Sequence, residues 1–405
     1  MKISLLHYTA LPVIGGVESV MGHHARLMAD DGHQVTILAG RGAQADPRVA
    51  FVQLPEADSR HPEVLAVKAE LDLGRVTPRL ESLAAKLLAA LEENLAGADV
   101  LVAHNIATMN KNLALTLALQ RYCQKAGAPR LVLWNHDLAW ITPRYREELY
   151  GGYPWDLLRT PWPGAIPVTI SETRRLEMAG LLRIPPDSIH VVPNGVEVTQ
   201  FFRLEATTQS LVEQLHLLEA SPLLLLPVRI TERKNIELAI RTLAVLRSQF
   251  PEARLVVTGP LGPHNPANAS YFSQLTGLRA ELKVEESVAF LAELLPESLP
   301  DAVITDLYRL SDALFLPSRE EGFGIPLLEA GLARLPVFCA DIPPLHELGG
   351  EAATYFSPDA NPYYIAALIR DRLVRDHSFA LRQLVKREYT WPRIYSERIR
   401  PLLAA

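Results

Sequence analysis

The sequence predicts an α/β protein with two doubly wound domains, and three observations lead to this fold class. Short apolar runs that look like buried strands alternate with amphipathic helical segments, a pattern typical of a parallel sheet with helices on both faces. The alternation is interrupted around residues 193–209 and then starts again. The chain has 405 residues, which is long for one ordinary core. We therefore expect two Rossmann-like domains, with the ligand site in the cleft between them, beyond the carboxyl ends of the strands.

The elements fall into two series, residues 1–198 and residues 199–388, which we predict as the two domains. In the first, strands are predicted at Ile3–His7, Gln34–Ala39, Phe51–Leu54, Val100–Ala103, Leu131–Trp134, Pro167–Ile170 and Ile189–Val192, and helices at Glu18–Asp31 and Thr77–Leu95. In the second, strands are predicted at Leu223–Val228, Leu255–Val257, Val288–Leu291, Ala313–Pro317 and Val337–Ala340, and helices at Ile236–Gln249, Tyr271–Leu282 and Tyr363–Arg375. A last helix is predicted at Trp391–Arg398.

Composition narrows the class of protein. The net charge of −6 argues against nucleic acid as a partner. Cys123 and Cys339 are the only cysteines, which excludes a disulfide framework and a cysteine metal cluster and fits a reducing cytoplasm. No run approaches the roughly 20 apolar residues that a membrane span needs. We expect a soluble, cytoplasmic globular protein.

The most informative stretch is residues 317–331, PSREEGFGIPLLEAG, which follows a predicted buried strand. Gly322 and Gly324 let the backbone approach a ligand, and Pro326 stands at the expected helix start, where its missing N–H is not needed. A helix N-terminus offers unpaired N–H groups and the positive end of a dipole, which suits a phosphate.

Two carboxylates, Glu321 and Glu329, flank this predicted phosphate site. They would repel a phosphate, so their partners are better sought among hydroxyl groups, which donate hydrogen bonds to carboxylates. A phosphate site beside two hydroxyl acceptors predicts a sugar nucleotide. The simpler alternative is a strand-turn-helix in which Glu329 lies on a solvated helix face.

The segment Glu321-Gly-Phe-Gly-Ile-Pro-Leu-Leu-Glu329 resembles the E-x7-E signature of the retaining glycosyltransferases of family 4. This resemblance implies the GT-B architecture, in which two Rossmann-like domains face each other across a cleft and the C-terminal helix crosses back to the N-terminal domain. Residues 389–405 would then complete the first domain.

The same resemblance implies roles for the residues of the segment. Glu329 would bind the ribose hydroxyls of the donor, and Glu321 would bind hydroxyls of the transferred sugar. The backbone around Phe323, Gly324 and Ile325 would bind the diphosphate.

The loop after the first strand carries an adjacent glycine pair, Gly15 and Gly16, and lacks the G-x-G-x-x-G pattern of dinucleotide-binding proteins. The pair resembles the N-terminal glycines of the same family, which implies contacts with the donor diphosphate and the acceptor. A plain turn that requires positive φ would explain the same two glycines.

At the end of another predicted strand, His136 and Asp137 resemble the His-Asp pair that the family places near the reacting sugar. A neutral or protonated His136 imidazole would there bind the transferred sugar. Asp137 is a candidate for fixing the tautomer of His136, although adjacent residues of an extended chain point apart. A histidine at a strand end also has a purely structural explanation.

A basic loop, Val228–Asn235, follows the first strand of the second series. Arg229 and Lys234 could neutralise the charge that gathers on the diphosphate as the sugar leaves, and they match the basic pair of the family. The sequence has no D-x-D metal motif, so we expect no metal and no other cofactor. A solvated run of charges is the ordinary alternative.

The sequence does not show which base the nucleotide of the donor carries. In the segment Ser287–Glu293, Ala292 stands where the family usually has glycine. We therefore expect a UDP- or a GDP-hexose as the donor, with UDP slightly preferred. The acceptor is a sugar, a glycan or a lipid-linked sugar, and the last of these would imply peripheral contact with the inner membrane face.

Taken together, the motifs predict a retaining, metal-independent glycosyltransferase that moves a hexose to an acceptor hydroxyl. Two other classes share these features: another GT-B enzyme, such as a sugar-nucleotide epimerase or a phosphorylase, and a non-catalytic protein that binds sugar nucleotides.

Overall fold

The computed structural model describes residues 1–260, 267–295 and 299–404, and the chain folds as two compact units. The first unit comprises Met1–Gly195 and Trp391–Ala405, and the second comprises Val196–Thr390. The boundaries predicted from the sequence, 198/199 and 388/389, differ from these by three and two residues.

The described part of the first unit is built on a sheet of seven parallel strands in the order β3-β2-β1-β4-β5-β6-β7. The strands are β1 (Lys2–Thr9), β2 (Gln34–Arg41), β3 (Val49–Gln53), β4 (Val100–His104), β5 (Arg130–Asn135), β6 (Ile166–Thr169) and β7 (His190–Val191). Both faces of the sheet are covered: Leu6 and Tyr8 of β1 pack into one apolar core, and Ile3 and Leu5 pack into another.

The helices that cover this sheet are α1 (Gly16–Asp30), α2 (Pro62–Leu71), α3 (Pro78–Asn94), α4 (Leu113–Cys123) and α5 (Glu172–Leu182). The first and third match the helices predicted from the sequence. The helix α4 was missed because nearly all of it is buried, so its apolar residues show no helical period.

The described part of the second unit repeats the same strand order, β10-β9-β8-β11-β12-β13, in a sheet of six parallel strands. Its strands are β8 (Leu223–Leu226), β9 (Arg254–Val257), β10 (Val288–Phe290), β11 (Ala313–Leu316), β12 (Val337–Ala340) and β13 (Thr354–Phe356). Its helices are α6 (Val198–Phe202), α7 (Ala206–Gln214), α8 (Ile236–Leu246), α9 (Ala267–Glu281), α10 (Asp301–Leu310), α11 (Ile325–Leu332), α12 (Pro343–Gly349), α13 (Pro362–Val374) and α14 (His377–Glu388).

Part of the stretch that looked like a break between domains is helical, because α7 begins inside the polar run Arg203–Gln209. Its buried face consists of Thr208, Leu211 and Val212, and Thr208 donates a hydrogen bond to the buried carboxylate of Asp306 over 2.9 Å. That partner is distant in sequence, so the sequence alone showed only an interruption of the alternation.

The C-terminal residues return to the first unit, as the fold class predicted. They form α15 (Trp391–Ile394), a short π-helical segment (Tyr395–Ile399) and α16 (Arg400–Ala404). The Tyr395 hydroxyl and the Arg400 guanidinium both bind the carboxylate of Asp31, at the end of α1. Trp391, Ile394 and Ile399 are buried in the same core as Ile3 and Leu5 of β1.

Among the described helices of either unit, none combines the length and apolar character needed to cross a membrane.

Candidate active site

The loop and helix after β11 have the geometry that the sequence predicted for residues 317–331. The helix α11 begins directly after Gly324, whose φ is +111°. The positive φ favours glycine at this position, and a Cβ there would also lie 2.7 Å from Cδ2 of Leu345, which would have to shift. Gly322 has no such requirement. Pro326 is the second helical residue, one position later than predicted.

At the centre of this loop, Glu321 and Lys234 form a buried ion pair. Lys234 Nζ lies 2.6 Å from Oε1 of Glu321, and the two side chains are only 9% and 10% exposed. The Ser318 hydroxyl donates to the same Oε1 over 2.8 Å. Both charged groups have lost most of their hydration, and separating them would leave each charge uncompensated. The ion pair therefore holds both side chains in defined positions.

The Lys234 loop is fixed to the 317–324 loop by the next residue, Asn235. Asn235 has φ +53° and donates from Nδ2 to the carbonyls of Pro317, over 3.0 Å, and Pro358, over 2.9 Å. The backbone N–H of Arg319 donates to the carbonyl of Arg233 over 2.8 Å. Sequence reasoning missed Asn235; the signal available was an asparagine, which tolerates left-handed backbone, directly before an apolar helix.

Arg229 lies after β8 and is exposed. The backbone of Gly259, which follows β9, packs closely against the backbone before Arg229. A Cβ on Gly259 would lie 2.0 Å from the carbonyl oxygen of Val228. No acidic side chain in the described part of the chain forms an ion pair with Arg229, so its guanidinium is available to an anionic ligand.

The second glutamate of the motif, Glu329, is held by a buried tyrosine. The Tyr308 hydroxyl donates to Oε2 of Glu329 over 2.7 Å and also contacts the carbonyl of Pro326 at 3.3 Å. Burial, and next the Glu329 carboxylate, raise the pKa of Tyr308, so its hydroxyl keeps its proton. Glu329 is half-buried on its helix face, and this hydrogen bond gives its carboxylate a fixed partner in the structure.

Glu329 lies about one turn into α11, because the helix begins at Ile325. Phe323 and Ile325 are 56% and 59% exposed, and their apolar side chains have no hydrogen-bond donor, so any role in diphosphate binding falls to their backbone N–H groups. Tyr308, on the preceding helix α10, was missed because its partner is 21 residues away.

In the first unit, the glycine pair starts α1. Gly15 has extended backbone, with φ −171°, and neither Gly15 nor Gly16 has positive φ, so the explanation by a plain turn is wrong. A Cβ on Gly15 would instead lie 2.1 Å from Oε2 of Glu18. The Glu18 carboxylate folds back over the glycine and accepts a hydrogen bond from the Thr9 hydroxyl at the end of β1. Sequence reasoning missed Glu18, although an acid in the first turn of a helix after a glycine pair was visible.

His136 follows β5, and its backbone is held by Asn105. The Asn105 Oδ1 accepts from the N–H of His136 over 2.7 Å and from that of Asp137 over 3.2 Å. The Asp137 carboxylate accepts from Nδ2 of Asn105 over 3.3 Å, whereas the His136 imidazole bonds to His104, Nε2 to Nδ1, over 3.2 Å. His104 is therefore the hydrogen-bond partner of His136, and the candidate partner Asp137 is not.

Burial lowers the pKa of His136 to about 4, so the imidazole is neutral near pH 7. Lys234 and Glu321 are thus in direct contact in the second unit, with Glu329 on the adjoining helix, while His136 and the glycine pair belong to the first. Among the described residues, no group of three or more histidine, cysteine or acidic side chains has the arrangement of a metal site.

Comparison with known proteins identifies the family. A family model described as "Glycosyltransferase Family 4" matches residues 14–200, and one described as "Glycosyl transferases group 1" matches residues 208–383. The chain belongs to the family-4, group 1 glycosyltransferases. Its two parallel-sheet units are those of the GT-B fold, so the predicted fold class is confirmed.

Several relatives carry names that specify a sugar. Mannosylglucosylglycerate synthase from Petrotoga mobilis is 26% identical over 60% of this chain and 60% of its own length. Mannosylfructose-phosphate synthase from Agrobacterium fabrum is 30% identical over 36% of this chain and 31% of its own length. A solved structure of sucrose-phosphate synthase from Thermosynechococcus elongatus is 17% identical, with a TM-score of 0.38, over 100% of this chain and 99% of that one. The chain thus matches no more than about 60% of the length of these curated relatives.

Proposed function

We propose that this protein is a retaining glycosyltransferase that moves a hexose from a UDP- or GDP-hexose to the hydroxyl of an acceptor, without a metal or other cofactor. The observation that supports this most directly is the buried contact of Lys234 with Glu321, on the loop that leads into the helix of Glu329. An ammonium group and two carboxylates, each with a fixed partner, match the needs of a diphosphate flanked by sugar hydroxyls.

The cationic residues of the site bind the phosphates of the sugar nucleotide, and the carboxylates bind its hydroxyls. Lys234 has three N–H groups, and its bond to Glu321 leaves two for phosphate oxygens. Arg229 supplies the second cation, and the backbone N–H groups around Phe323–Ile325 supply neutral donors at the helix start. Glu329 accepts from the ribose hydroxyls, and the free lone pairs of Glu321 accept from hydroxyls of the hexose.

For the transfer itself, we propose attack on the face from which the diphosphate leaves. The bond between the anomeric carbon and the phosphate oxygen breaks as the bond to the acceptor oxygen forms, and the acceptor proton passes to the departing phosphate oxygen. Arg229 and Lys234 stabilise the charge that collects on the diphosphate. His136, which is neutral, hydrogen-bonds the transferred hexose, and the Gly15–Gly16 helix start contributes to diphosphate and acceptor binding.

The names of several relatives suggest which donors to test first. Mannosylglucosylglycerate synthase and mannosylfructose-phosphate synthase both have mannosyl in their names. A thermal-shift screen of this chain should therefore include GDP-mannose beside UDP-glucose and ADP-glucose, because a ligand that binds the folded state raises its thermal midpoint.

The deciding assay measures free nucleoside diphosphate with the selected donor, with and without a panel of sugar, glycan and lipid-linked acceptors. We expect release that depends on acceptor, is unaffected by EDTA, and yields a product with the anomeric configuration of the donor. Interconversion of donor sugars without release would identify an epimerase, and consumption of inorganic phosphate would identify a phosphorylase. Binding without turnover on any acceptor would indicate a non-catalytic protein, and an inverted product would exclude the mechanism.

A further inference from the structure

The first unit contains a cluster of four buried histidines, His7, His24, His104 and His136, of which the proposed reaction uses only the last. None is more than 6% exposed, and His24 and His104 are fully buried. Burial lowers the pKa of His136 to about 4 and that of His104 well below its usual value. Both imidazoles are therefore neutral near pH 7, and each carries one ring proton.

The bond between Nδ1 of His104 and Nε2 of His136 allows two arrangements of these protons. In the first, His104 donates from Nδ1, and His136 must then carry its proton on its own Nδ1. In the second, His136 donates from Nε2, and His104 must carry its proton on its own Nε2. The two arrangements present opposite groups at the free nitrogen of His136, a donor in the first and an acceptor in the second.

The surroundings of His104 distinguish between them. Its Nε2 is buried and has no hydrogen-bond partner among the described residues. The ring lies between aromatic neighbours, with the centroid of Trp134 at 5.8 Å and that of His24 at 5.5 Å. The second arrangement would leave an N–H unpaired in this apolar site, whereas the first leaves only a lone pair unpaired. Buried N–H groups without an acceptor are rarer in proteins than buried acceptors without a donor.

We propose that His104 is a positioning residue that fixes His136 in the tautomer with its proton on Nδ1. His136 then presents a neutral N–H donor, which binds an oxygen of the transferred hexose and leaves that oxygen's own proton to another acceptor. No hydrogen bond within the described residues occupies the Nδ1 of His136. The inference about the hexose rests on the proposed function, but the tautomer itself does not.

Nitrogen NMR of the full chain, labelled with ¹⁵N in the histidine rings, tests the tautomer without substrate. The chain has 12 histidines, and the His136 signals are assigned by their loss in a His136→Asn variant. We expect the protonated nitrogen of His136 to be Nδ1. A proton found mainly on Nε2 would overturn the inference.

Two substitutions of His104 test its effect on transfer. Asparagine keeps an N–H near the position of Nδ1, whereas leucine removes it. We expect kcat of His104→Asn to stay within about threefold of wild type, and kcat of His104→Leu to fall on the order of tenfold with little change in donor KM. Equal kcat values for the two variants would contradict the inference.

His24→Phe is the matched control, because His24 is equally buried, also contacts the ring of Trp134, and bonds neither nitrogen to another described residue. Its kcat should equal that of wild type. If His104→Leu does not fold, the wild-type spectrum still decides the tautomer. If no hexose transfer is found with any donor, the proposed function fails while the spectrum remains a valid test.

Discussion

Replacing Tyr308 by phenylalanine removes the hydroxyl that holds Glu329 and leaves the buried ring in place. A hydrogen bond to a charged group contributes about 1.5–3 kcal/mol. Glu329 is half-buried, so part of that value is screened by water, and we take the lower limit. Without the hydroxyl, Glu329 must be ordered when the nucleotide binds, and an ordering cost of about 1.5 kcal/mol corresponds to roughly tenfold weaker binding of the nucleoside diphosphate.

The assay is isothermal titration of wild type and Tyr308→Phe with two ligands, the nucleoside diphosphate chosen by the donor screen and its 2′,3′-dideoxy analogue. In the proposed role Tyr308 affects ribose binding only through Glu329, so its substitution should weaken binding of the natural ligand tenfold and leave binding of the analogue nearly unchanged. The difference between the two effects isolates the coupling between tyrosine and ribose hydroxyls.

Tyr355→Phe is the control, since the Tyr355 hydroxyl donates to a backbone carbonyl, that of Leu345, over 3.3 Å. It should leave the affinities for both ligands as they are. Equal weakening of both ligands by Tyr308→Phe would show that the tyrosine supports the fold in general, and would refute the role assigned to it.

Three further predictions concern charge, backbone and pH. Arg229→Ala and Lys234→Ala should each lower kcat a hundredfold or more, about 3 kcal/mol of transition-state stabilisation, and near wild-type turnover would remove the residue from the mechanism. Gly324→Ala should lower the free energy of unfolding by about 1–3 kcal/mol, because Gly324 has a φ of +111° and lies close to Leu345. An unchanged thermal midpoint would contradict this prediction. Burial lowers the pKa of His24 to about 3, so between pH 6.5 and 3 the unfolded chain binds a proton that the folded chain does not, and stability falls as pH falls. As the pH is lowered from 7 to 4.5, the thermal midpoint of His24→Phe should therefore decline less steeply than that of wild type. Identical slopes would contradict a lowered pKa of His24 in the folded state.

The strands were predictable because both sheets are covered on two faces, so their strands are short, continuous apolar runs such as β8 and β11. Helices with one solvated face, such as α3, were equally evident. Two of the missed helices lack a fully buried stripe between solvated faces: in α4 the apolar residues surround the helix, and in α14 no residue is fully buried. The helix α10 was missed although Val303, Leu307 and Leu310 give it a buried face with helical spacing.

The geometry of the candidate site was predictable where its residues lie close together in sequence. Glu321, Gly324 and Glu329 share one loop and helix, and the spacing alone indicated a phosphate beside hydroxyl acceptors. The hydrogen-bond partners of the candidate site residues were not predictable, because they lie far away in sequence. Lys234 is 87 residues from Glu321, and His104 is 32 residues from His136. Such pairs depend on the order of strands in a parallel sheet, which local patterns do not specify.

The return of residues 391–404 to the first unit means that this unit is closed by residues far apart in the chain. Tyr395 and Arg400 bind Asp31, which lies 364 and 369 residues before them, and Trp391 is buried in the same core as Ile3 and Leu5 of β1. Because the second unit is a continuous segment between the two parts of the first, the first unit can be completed only when the chain has passed through the whole of the second. Deleting residues 391–404 should therefore expose apolar surface on the first unit, while the second unit keeps all of its own residues.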